Sequence, residues 1–177
     1  MPAFVAGLLL GIGDRTSWLA AILADRNQRP FRVIIAAALA FGAGNAAAAQ
    51  AGLWMPRLTP NAGNLMLALA LGFAGIGAIF GAKRPTSFAG WPALPALFIL
   101  GFGEGMQFVT FALAARAELP AFAAVGATLG TLLAVAPAAV LGEAAWLRLP
   151  LKPLRIAVGV VLMLTAAVFA AGALRLG

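Results

Sequence analysis

The chain has 177 residues, 63% of them hydrophobic and 10% charged, with a mean hydropathy of +1.01. A water-soluble fold of this size has too little interior to hide so much apolar surface, and a disordered chain would need the opposite composition. Cysteine and histidine are absent, which excludes disulfide scaffolds, thiol chemistry, zinc-finger-type sites and histidine-based triads. The formal charge of +7 contains no basic run longer than two residues. It reads as the topology bias of a membrane chain, and nucleic acid is not an expected partner. Nothing basic precedes the first apolar run, which is also too long for a signal-peptide core, so a cleaved leader is not expected.

A helix needs about 20 apolar residues to cross the hydrocarbon core. Six stretches meet this in chain order, at residues 3–23, 33–55, 65–82, 93–115, 121–141 and 156–174, each bounded by Arg, Lys, Pro or Asn. Strands are not expected, because alternation is absent and the segments are twice the length of a barrel strand. Trp18, Trp54, Trp91 and Trp146 fall mostly near span ends, where an aromatic belt belongs. On one side the loops carry Arg26, Arg29, Arg32, Lys83, Arg84, Arg148, Lys152 and Arg155, and on the other only Arg57, Arg116 and Arg175. The basic side should be cytoplasmic, which puts both termini outside the cytoplasm in a multi-pass inner-membrane protein.

Shifted by 90 residues, the chain matches itself without a gap. Pro2 falls on Pro92, Pro30 on Pro120 and Pro60 on Pro150, where chance would give about 0.3 such coincidences. Gly11, Gly13, Arg26 and Gly52 fall on Gly101, Gly103, Arg116 and Gly142. Each copy, 1–87 and 91–177, holds three spans, so the second must enter the membrane from the opposite face. The expected fold is an all-α integral membrane protein of six transmembrane helices, one membrane domain built as two inverted three-helix repeats. That architecture recurs among secondary transporters.

Three ionisable residues lie deep in spans: Asp14 and Arg15 in the first, Glu104 in the fourth. Asp14 and Glu104 are repeat equivalents. Each buried charge costs roughly 2.5–3.5 kcal/mol, so the three must be paired, hydrated or used. They sit among Gly11, Gly13, Gly101, Gly103 and Gly105, and glycines at that depth loosen a helix and admit backbone carbonyls. Carboxylate, hydroxyl, amide and carbonyl oxygens are ligands of hard cations, and Thr16, Ser17, Gln107 and Thr110 could add to them. Asn45 and Gln50 are second-rank candidates, better suited to interhelical hydrogen bonds. A purely structural alternative has Arg15 paired with Glu104, locking the halves together, with the glycines serving only helix packing. The Gly7–Gly11 spacing reads as such a packing face.

At these residues the chain resembles the Golgi-type (Gdt-type) calcium/manganese–proton exchanger family. Its hallmark, Glu-x-Gly-Asp-(Lys/Arg)-(Thr/Ser), occurs once in each half, and Gly13-Asp14-Arg15-Thr16 matches its last four positions. The second copy keeps Gly103, has Glu104 in place of Asp, and keeps the Gln107 that often follows. Gly11 and Gly101 replace the motif's first Glu, and Gly105 and Met106 replace its basic and hydroxyl residues. The resemblance implies that the motif carboxylates hold a divalent cation, Mn²⁺ or Ca²⁺, and exchange it against protons. Arg15 would tune that site. The expected partners are the bilayer, the cation and protons, and a homodimer is compatible with the sequence. No cofactor and no enzyme activity are expected, since no nucleophile–base pair or cofactor fingerprint is present. Export of a small solute, or a membrane paralogue that has lost cation binding, are the competing readings.

Overall fold

The computed structural model of the chain describes residues 1–58, 63–80, 85, 90–102 and 104–175. Among these run eight helices: α1 Pro2–Gly11, α2 Arg15–Asn27, α3 Pro30–Leu58, α4 Gly63–Phe80, α5 Ala93–Gly101, α6 Gly105–Ala114, α7 Pro120–Trp146 and α8 Leu151–Arg175. No strand occurs among the described residues. Three helices open on proline, at Pro2, Pro30 and Pro120, where the missing N–H would have had no helical partner anyway. Gln28 ends α2 in the left-handed conformation (φ 48°), two residues before Pro30.

α3, α4, α7 and α8 are each long and apolar enough to cross a bilayer. The expected spans 3–23 and 93–115 are not continuous helices. α1 and α2 meet at 61°, α5 and α6 at 64°, and counting each bent pair as one broken span gives six in all. Both breaks fall on the Gly-x-Gly-acid stretches, where absent side chains let water or a partner compete for the helical hydrogen bonds. The sixth span also begins earlier than expected, at Leu151, which draws Lys152 and Arg155 out of the loop and into a helix. Gly103, Lys83 and Arg84 lie outside the described residues.

Large apolar side chains face outward, as Phe31, Ile35 and Leu39 do on α3 and Leu164 and Val168 on α8. Lipid tails accept them, so helix association must come from close packing of small residues. α1 lies on α7 through Gly7, Gly11 and Gly130. A Cβ at Gly7 would stand 2.6 Å from the Ala127 carbonyl oxygen, and one at Gly130 would run into that of Phe4. The Gly7–Gly11 face is thus a packing face. α4 and α8 cross at Gly75 and Gly159, where a Cβ on either would come within 3 Å of the other's carbonyl oxygen. The first broken span packs mainly on α7 and the second on α3, while α4 and α8 pack chiefly on each other.

Trp54 and Trp91 are exposed, in keeping with an aromatic belt, but Trp146 is buried and Trp18 packs beside it with Leu151. The belt expectation fails for these two, which pack into a cluster with Ala138 and Leu151. Gly142 adopts φ +74°, which breaks α7 there. The Asp25 carboxylate enters the gap and accepts the Glu143 backbone N–H at 2.7 Å, as an N-cap supplied by another helix. Asp25→Ala removes that cap and should cost about 1 kcal/mol. Thermal unfolding of the detergent-purified protein would read this as a Tm lower by about 2–4 °C, and an unchanged Tm would refute it.

Candidate functional site

Each break leaves two kinds of unpaired backbone group. The last carbonyls of α1 and α5 have no helical donors, and the first N–H groups of α2 and α6 have no helical acceptors. Asp14 is the N-cap of α2 and Glu104 the N-cap of α6, both with extended backbone. A carboxylate at that position lies at the positive end of the helix dipole. The offset of 90 residues therefore has a three-dimensional counterpart, with two acids at the heads of two half-helices. Gly13 makes the first turn with φ +71°, a conformation that costs any other residue about 1–2 kcal/mol.

The two acids converge on one hydroxyl. Thr16 Oγ1 lies 3.4 Å from Asp14 Oδ2 and 3.3 Å from Glu104 Oε1. The carboxylate oxygens can be no farther apart than those two contacts laid end to end. Thr16 is completely buried, and its single proton can serve only one acid at a time. Thr16 is thus what links the halves here, and no ion pair of Arg15 with Glu104 is among the interactions of the described residues. Arg15 is exposed and stands at the edge of the cavity beside the acids. Thr16→Val keeps the shape and deletes the hydroxyl. Without their shared donor the two carboxylates should lower the Tm of the detergent-purified protein by several degrees, as expected for one hydrogen bond to a charged group, and Thr16→Ser should restore it.

Ser17 and Gln107, also repeat equivalents, perform the same task in each copy. Ser17 Oγ donates to the Gly11 carbonyl, and Gln107 Nε2 donates to the Gly101 carbonyl at 2.8 Å. Each side chain reaches back across its own break and satisfies an orphaned carbonyl. This holds the bent pair in shape. Asn45 stands apart from the acids. Its Nδ2 donates to Thr128 Oγ1 at 3.2 Å, and its Oδ1 accepts from Thr110 Oγ1 at 3.1 Å, joining α3, α6 and α7. Gln50 is exposed on α3. Neither it nor Thr110 lines the cavity beside the acids.

That cavity measures about 330 Å³. It is lined by Asp14, Glu104 and Gly105 at the breaks and by Phe73, Ala74 and Gly77 of α4. Gly105, the counterpart of Arg15, packs on α4, where a Cβ would lie 3.4 Å from Ala74. Phe73 is itself exposed, as are the counterparts of Phe73 and Ala74 on α8, Met163 and Leu164. Arg155 also lines the cavity, from within α8 rather than from the loop in which its charge places it by sequence. Pro150 and Pro153 flank the start of α8. Prolines tolerated in a first helical turn are the signal that would have put Arg155 one turn inside. Among the described residues no group of three or more acids could hold a metal ion.

Broken apolar spans that bring two acids to the wall of a cavity define a multi-pass membrane protein of the ion-transporter class. Residues 1–86 and again 90–175 match the family described as divalent cation/proton antiporter GDT1, and the chain belongs to that family. No curated protein and no solved structure matches the chain.

Proposed function

We propose that this protein is a six-span secondary transporter that exchanges a divalent cation, Mn²⁺ or Ca²⁺, for protons. Asp14 and Glu104 hold the cation and the protons in turn, and Thr16 passes its hydrogen bond between them. The carbonyl ends of α1 and α5 offer further oxygens to a hard cation. The observation that carries this reading is the meeting of two repeat-equivalent carboxylates on one buried hydroxyl.

In this reading the halves are inverted repeats, and the protein lies in the inner membrane with both termini outside the cytoplasm. The cavity wall includes Gly77 near the end of α4 and Arg155 near the start of α8. Those helix ends share the face of the basic loops, so the cavity opens to the cytoplasm. Reconstitution into liposomes containing a metal-sensitive dye tests the proposal. Mn²⁺ or Ca²⁺ uptake should follow an outward-directed proton gradient and stop when a protonophore collapses it. Flux indifferent to the gradient or to divalent cations would overturn it.

One observation favours a second reading, a family member that no longer binds cations. The cavity holds two acids against two arginines, and no larger acidic group accompanies them among the described residues. A folded protein that binds neither Mn²⁺ nor Ca²⁺ would support this alternative.

A further inference from the structure

Arg155 has no counterpart in the other copy, where Leu65 holds its place. Its side chain lies over the break in the first span. A Cβ on Gly13 would come within 2.9 Å of its Cδ. Arg155 lines the cavity together with Asp14, Arg15 and Glu104, and its Nη2 donates to the Gly77 carbonyl oxygen at 3.4 Å. Arg155 thus holds its charge at the same cavity as the two acids, with a backbone carbonyl rather than a carboxylate as its hydrogen-bond acceptor.

The charges explain why this placement matters. Asp14 and Glu104 contribute two negative charges to the cavity, and Arg15 and Arg155 two positive ones. With nothing bound the site is formally neutral. A divalent cation added to all four would leave two uncompensated charges in a poorly screened space, which is strongly unfavourable. A divalent cation that enters therefore works against both arginines, of which Arg155 comes from the other half of the chain, on α8.

The geometry points to Arg155 as a tethered cation that competes with the transported one. It offsets the charge of the acids in the empty carrier and opposes a divalent cation that enters. This inference rests on the transport reading. Arg155 then sets affinity against turnover: it weakens cation binding, and it lets the emptied site cross back without a net buried charge.

The test uses the full chain, both in liposomes and in detergent, with Mn²⁺ as the probe. Arg155→Gln and Arg155→Met should lower the half-saturating Mn²⁺ concentration about tenfold, as loss of a nearby like charge implies. Their maximal uptake should fall by a similar factor. Arg155→Lys should keep wild-type values of both. Direct Mn²⁺ binding in detergent gives the affinity result even for a variant that is folded but does not transport. Two neutral variants guard against one failing to fold. Unchanged or weaker Mn²⁺ binding in a folded neutral variant would overturn the inference while leaving transport intact. If the wild-type protein neither binds nor moves Mn²⁺ or Ca²⁺, the transport reading fails and this inference with it.

Discussion

Asp14→Asn should abolish divalent-cation uptake, with a loss of at least a hundredfold, and Glu104→Gln should come close to it. Both changes preserve shape and remove one negative charge. A unit charge 4 Å from its partner is worth about 4 kcal/mol at the effective dielectric of a partly solvated site, equivalent to roughly a thousandfold in affinity. With one acid gone, the cation would face two arginines and a single carboxylate. The amide also cannot carry a proton back. The Asn side chain can still accept from Thr16, so the fold should survive and Tm should change little. Uptake and Tm measured on the same preparations separate loss of function from loss of structure. Full uptake in either variant would show that the acids are not the site.

The second large effect is expected at Gly13. Gly13→Ala meets two independent obstacles, a backbone at φ +71° and a Cβ 2.9 Å from Arg155 Cδ and 3.3 Å from Leu151 Cβ. The backbone term costs about 1–2 kcal/mol, and forced overpacking typically adds 1–3 kcal/mol. Either the first break straightens, which moves Asp14 away from Thr16 and Glu104, or Arg155 is pushed off the cavity. Uptake should drop by more than tenfold in both cases. The expected fall in Tm is several degrees, larger than for Asp25→Ala. Gly77→Ala is a contrasting control, because nothing stands within 4 Å of a Cβ there, and its Tm should stay near the wild-type value.

Much of this protein was legible without coordinates. Long apolar runs separated by Arg, Lys and Pro announce membrane helices, because hydrocarbon length and backbone hydrogen bonding leave few other solutions. The offset of 90 residues pairs Asp14 with Glu104 and Ser17 with Gln107. The structure gives both members of each pair matching work. The glycines flanking the acids suggested weakened helices, and both spans break there.

What the sequence could not supply depends on neighbours from distant parts of the chain. A hydropathy window treats charge as a reason to end a span, so Arg155 was placed in a loop. Only the packing of α8 over the first break brings it to Asp14. Thr16 was one oxygen among several until the fold brought Glu104, 88 residues away, onto the same hydroxyl. Asn45 and Gln50 looked alike as polar residues of the second span, yet one faces α6 and α7 and the other faces outward. Apolar composition and periodic breaks determine that the chain enters a membrane and where it bends, because those are local properties of the polypeptide. Which charges meet inside is decided by helix packing, because the electrostatic energy depends on distances that no single segment contains.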